Sequence, residues 1–219
     1  KGITLDNISR DDGLVTAANL NIEKFIVPIG MIAQENPDFA RIAREVTGSD
    51  EVMVSVEVGS DYDVSRSAYG TILGVDVSAF GDLTLKVSLE DVPFEKLKAL
   101  SNTNDLLDTL ETLGELNETV SFKGVSIHYV DGVLADKVLE KAPPTSQLNA
   151  IIRQQLTLFL AAYPVEREQI LDAVAGFLEN KNAFSMELEA STPIPIKDLL
   201  NKFISGQINR DLVVTAIGS

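Results

Sequence analysis

Two periodicities alternate along this chain. Apolar residues spaced by two mark strands, and apolar residues spaced by three and four mark helices. The period of two is cleanest at 51–58, where Val52, Val54, Val56 and Val58 interleave with Glu51, Met53, Ser55 and Glu57. It returns at 82–90, where Leu83, Leu85, Val87 and Leu89 oppose Asp82, Thr84, Lys86 and Ser88. Further strands are expected at 3–9, 14–27, 69–78, 119–130, 184–190 and 211–217. Asp11, Asp12 and Gly13 supply the turn of a first hairpin. Apolar parity slips between Val120, Phe122 and Val125, Ile127, Tyr129, which predicts a bulge at Lys123 and Gly124.

The clearest helix begins at Asn36, a side chain suited to capping, followed by Pro37 in the first helical position and Asp38 at the positive end of the dipole. Phe39, Ile42, Ala43 and Val46 then form one apolar stripe, and Gly48 is placed to end it. Other helices are expected at 94–100, 104–116, after Asp131, and at 146–162, 165–180 and 196–205. The pair 146–162 and 165–180, parted by Pro164, reads as a helical hairpin.

In four places, 19–29, 84–94, 125–134 and 185–196, an alternating strand runs through a turn, often proline-marked, into a short helix. The uneven spacing of these units disfavours a solenoid. Strands with one apolar face usually form antiparallel sheets. The expected fold is therefore α+β: a twisted, mainly antiparallel sheet of seven or eight strands with helices largely on one face, including a C-terminal helical hairpin. Pro143 and Pro144 make the strongest break, yet strands resume beyond it. Residues 1–219 thus read as one domain with a candidate sub-boundary at that pair.

Composition narrows function mostly by exclusion. The 219 residues carry 33 acids against 18 bases, a net charge of −15. Such a chain repels phosphate backbones, so no nucleic-acid partner is expected. Cysteine is absent, which removes disulfides, thiol nucleophiles and thiolate metal sites. The longest strongly apolar stretch, 156–163, is far shorter than the roughly 20 residues of a membrane span. Because strand-like residues already follow Lys1, a removed leader, an anchor or an upstream domain is expected before it.

The chemical inventory is thin. His128, the single histidine, falls mid-strand on the less apolar side. Gly124, Ser126 and His128 resemble a nucleophile elbow superficially, but the second glycine and the strand-to-helix turn are missing. Asp61 and Asp63 are spaced as in a calcium loop without its sixth-position glycine or distal glutamate, so a strand-connecting loop is the better expectation. Phosphate-cradling glycine motifs are absent. No catalytic residue, metal or cofactor is assigned. The mild exception is apolar: if the helical hairpin does not close fully on the sheet, Leu156, Phe159, Tyr163 and Phe177 would line a groove for acyl chains.

Alternating strands feeding proline-marked short helices resemble envelope proteins of Gram-negative bacteria, broadly the AsmA-like proteins. The stretch 120–134, followed by 151–156, looks most like the C-terminal part of such proteins. The resemblance transfers no functional residue. It implies an extracytoplasmic module, periplasmic or membrane-tethered, that associates with lipid and has no enzymatic activity. The resulting expectation is a non-catalytic envelope module binding a lipid-like apolar ligand or an envelope protein. The alternatives are a structural or assembly domain of a larger envelope protein and, more remotely, a carboxylate-dependent hydrolase.

Overall fold

The computed structural model describes residues 2–12, 14–102, 106–140, 142–159, 164–204 and 212–219. Among the described residues eight strands form one antiparallel sheet whose spatial order follows the chain. They are β1 Gly2–Asp11, β2 Leu14–Pro28, β3 Glu51–Asp63, β4 Ala68–Val77, β5 Gly81–Glu90, β6 Ser121–Asp131, β7 Ala183–Pro195 and β8 Leu212–Gly218. The protein is therefore α+β. Strands from both sides of Pro143 and Pro144 belong to the same sheet.

Helices fill the longer connections. Helices α1 (Ile29–Glu35) and α2 (Pro37–Thr47) lie between β2 and β3, and α3 (Phe94–Asn102) and α4 (Leu106–Thr119) between β5 and β6. Helices α5 (Leu134–Leu139), α6 (Thr145–Phe159) and α7 (Pro164–Asn180) lie between β6 and β7, and α8 (Ile196–Ile204) follows β7. In an antiparallel meander, successive connections alternate between the two ends of the sheet. The segments α1–α2 and α5–α7 consequently leave from one end, and α3–α4 and α8 from the other.

Local chemistry explains several boundaries. The Asn36 side chain accepts the Phe39 N–H at 3.0 Å, Pro37 starts α2, and Gly48 ends it in the left-handed conformation at φ 62°. The register between β6 and β7 shifts between Phe122 and Gly124, where the parity slip lies. Two expectations need correction. Residues 59–63 are strand rather than loop, because β3 stays paired with β4 through Asp63 and the turn comes after it. Strand β7 also continues past 190 to Pro195, since Ile194 pairs again with Phe122 beyond the bulge.

Three apolar clusters hold helices to the sheet. Ile29, Ala40 and Ala43 of α1 and α2 pack with Val52 and Phe80, with Val54, Val77 and Leu134 around them. At the opposite end, Tyr62, Val92 and Val120 pack with Tyr69, Leu89, Phe94, Leu97, Leu116 and Ile196. The Tyr62 hydroxyl donates to the Val92 carbonyl at 2.7 Å, which satisfies the one polar atom this ring buries. The third cluster joins Phe122, Ala190 and Ile194 to Val125, Leu188, Leu199 and Leu212.

Candidate functional site

Residues directly opposite in an antiparallel pair share a face of the sheet. The register therefore extends the alternation of each strand into ranks that cross all of them. One rank runs Ile3, Ile22, Val56, Val75, Leu83, Tyr129 and Phe184; the next runs Leu5, Leu20, Val58, Leu73, Leu85, Ile127 and Met186. The opposite face carries Thr4, Asn21, Glu57, Gly74, Thr84, His128 and Ser185 in the matching rank. Along these ranks one side of the sheet is apolar and the other polar; elsewhere the second side also exposes Ile26, Met53, Val130, Val213 and Ile217.

The apolar ranks are partly uncovered. Ile3 is 73% exposed, Leu5 58%, Leu83 43%, and Val58 and Leu73 41% each. The walls are the two ends of the sheet. Val54 and Val77, paired on this same face, meet α1, α2 and α5 at one end. Tyr62, Tyr69 and Leu89, also paired on this face, meet α3, α4 and α8 at the other. Toward β6 and β7, Phe177 of α7 sits edge-on over Tyr129, with ring centroids 5.9 Å apart, and over Phe184 at 6.4 Å. The result is a trough running across the strands, open over β1–β5. Four strand spacings make its open length about 19 Å. A pocket of about 440 Å³ lies at the α3–α4 end of the same face, lined by Tyr69, Leu89, Leu97, Leu100, Leu116 and Ile196. That volume falls within the usual range for small-molecule sites, roughly 300–1,000 Å³.

The polar face offers a smaller hollow of about 240 Å³, with Asn19, Asp61, Lys86 and Ser88 around Gly59 and Gly70. His128 is exposed on this side, opposite Thr84 and Ser185. Lys123 donates to the Ala190 carbonyl at 2.9 Å and pairs with Glu189 at 3.1 Å.

Displaced ionisations trace to local structure. The Tyr129 hydroxyl donates to Asp131 Oδ1 at 2.5 Å and lies 3.0 Å from the Phe80 carbonyl. Burial first, and then the Asp131 carboxylate, push this phenol far above its ordinary range and keep it neutral. Asp131 Oδ1 also accepts the Ala135 N–H at 3.0 Å, so the same carboxylate starts α5. The Ser65 hydroxyl, 2.6 Å from Asp63, holds that carboxyl below the usual range and closes the β3–β4 turn. Glu168 is held low chiefly by Arg153 at 3.0 Å, a link from α6 to α7, with Arg167 adding to it. Among the described residues no group of three or more potential metal ligands converges. No buried side-chain nitrogen or oxygen among them lacks a partner.

Of the four residues expected to line a groove, Leu156 is half-buried on α6, and Phe177 contacts the β6 and β7 aromatics. The Phe159 side chain and Tyr163 lie outside the described residues. Val58 and Leu83 are legible as one-faced strand residues and Leu73 only as part of an expected strand, and nothing in their spacing marks them as uncovered.

A protein-family model described as "Uncharacterized protein" matches residues 74–215. That span, from within β4 to within β8, is more than half of the chain, and the chain belongs to this family. No curated protein matches it. Among the described residues no helix is long and apolar enough to cross a membrane.

Proposed function

We propose that this protein is a non-catalytic bacterial envelope module that takes a lipid-like apolar ligand into the trough. The helices act as walls on the apolar side of the sheet, with the α6–α7 hairpin closing the trough over β6 and β7. Facing the periplasm, the module lies free or behind a membrane tether. One observation carries the reading: two apolar ranks cross the strands in register, and five of their side chains are exposed between the helical walls. Uncovered apolar area of this kind marks ligand grooves and partner surfaces. An acyl chain laid across the strands would meet one rank on each side of its axis, and the pocket beneath α3 and α4 would accept its end.

The test is native mass spectrometry of gently purified protein, together with uptake of a fluorescent fatty acid. A retained ligand or saturable uptake supports the reading. A protein with neither, and with no uptake after delipidation, would overturn it.

A further inference from the structure

The pocket at the α3–α4 end of the sheet offers almost nothing for a polar group to bond. Seven of its nine lining side chains are hydrocarbon. The other two are Tyr69 and Asn117, and Asn117 is exposed. No buried side-chain nitrogen or oxygen among the described residues waits for a partner. The backbone around the pocket is spent as well. The Val92 carbonyl accepts the Tyr62 hydroxyl at 2.7 Å, and the Val92 N–H donates to the Ser67 carbonyl at 2.9 Å. The Val120 carbonyl accepts the Ile196 N–H at 3.0 Å, and the Val120 N–H donates to the Leu116 carbonyl at 2.8 Å. A carboxylate or hydroxyl moved into this space would shed its water and find nothing to replace it.

Charge around the pocket acts in the same direction. Helices α3, α4 and α8 carry six acids against four bases. Their cations with described side chains are already engaged. Lys96 pairs with Glu115 at 2.8 Å, Lys197 with Glu118 at 2.5 Å, and Lys98 with Asp12. The first two pairs tie α4 to α3 and to α8. An anionic head group is therefore repelled from this end of the sheet, and none of these three ammonium groups is free to receive it.

An apolar path joins the exposed ranks to the pocket along β4 and β5. Thr71 and Val87, paired on the apolar face, lie between Leu73 with Leu85 and Tyr69 with Leu89. The Thr71 hydroxyl is committed to the Gly59 carbonyl at 3.0 Å. Four residues of strand make the path from Leu73 to Tyr69 about 14 Å long. We infer that this pocket takes the methyl end of a single acyl chain, whose head group stays behind at the trough and faces solvent. The inference rests on the reading of the trough as a lipid site and adds the direction of the chain. It also names the ligand class: single-chain amphiphiles recognised by the tail, with the head group free to vary.

Paramagnetic broadening of methyl signals in the full chain tests this with two stearates, one bearing a nitroxide beside its carboxylate and the other beside its methyl end. The tail-labelled stearate should broaden Leu97, Leu116 and Ile196 most strongly, and the head-labelled one Val58 and Leu73. Leu100→Trp fills the pocket with an indole and should weaken palmitate binding at least tenfold. Palmitate and its glycerol monoester should bind the wild type with similar affinity. Equal broadening of the pocket methyls by both probes, or none there with either, would overturn the inference while leaving the trough a lipid site. So would undiminished palmitate binding by Leu100→Trp, or refusal of the monoester. If neither probe broadens any of these methyls, the lipid reading itself falls, and this inference with it.

Discussion

Gly176 of α7 and Gly218 of β8 meet backbone to backbone, with no room for a side chain on either. A Cβ at Gly218 would collide with the Ala173 carbonyl oxygen, and one at Gly176 with the Gly218 carbonyl. This seam anchors the helix that brings Phe177 over Tyr129 and Phe184. Gly218→Ala must push α7 off the strand, and overpacking of this kind costs about 1–3 kcal/mol. Urea denaturation should show a lower midpoint for Gly218→Ala. Gly70→Ala, where a Cβ meets nothing within 4 Å, should change it much less.

The cap on α2 gives a second expectation. Asn36→Ala removes the acceptor of the Phe39 N–H and should destabilise the protein by about 1 kcal/mol, whereas Asn36→Asp should retain most of the stability. Thermal unfolding of the two variants side by side reads the difference. The loss propagates to packing, because α2 buries Ala40 and Ala43 against Val52 and Phe80.

Tyr129 and Asp131 form a third. Tyr129→Phe leaves Asp131 capping Ala135 and should cost about 1 kcal/mol. Asp131→Ala strips partners from both Tyr129 and Ala135 and should cost more. The pH dependence has a definite sign. The folded protein raises the ionisation of Tyr129, so its contribution is whole below the free phenol's value of about 10 and fades as pH rises beyond it. Denaturation midpoints between pH 9 and 11 should fall more steeply in the wild type than in Tyr129→Phe.

Much of this fold is legible in the residues themselves. The Val52–Val58 alternation, the Asn36-to-Gly48 helix signals and the parity slip at Lys123 and Gly124 each reflect interactions within one or two elements. What stayed hidden depends on pairing over longer range. Residues 59–63 carry turn-forming Gly, Ser and Asp, yet β4 holds them as strand through Asp63. Helix α1 has no side-chain cap to announce it, and it rests instead on the burial of Ile29. Prolines at 193 and 195 suggest an end to β7 that pairing of Ile194 with Phe122 overrides. The candidate site was half legible for the same reason. Spacing by two assigns Val58 and Leu83 to a face, but coverage of that face depends on where distant helices settle.

A fourth expectation concerns ligand uptake. Leu73→Glu places a carboxylate mid-trough on an already exposed position, so folding stability should change by no more than about 0.5 kcal/mol. Fatty-acid uptake should fall at least tenfold, because an ionised group would have to be desolvated beneath the chain. Thr84→Glu, on the polar face one residue beyond Leu83, should leave uptake intact. Fluorescence titration of the three proteins separates these outcomes.

The most direct measurement uses the absence of native cysteine. Leu73→Cys and Thr84→Cys each accept one environment-sensitive fluorophore, the first in the trough and the second on the opposite face. Titration with a long-chain fatty acid should give a saturable spectral shift at position 73 and none at position 84. No shift at 73, or equal shifts on both faces, would contradict a ligand site on the apolar ranks.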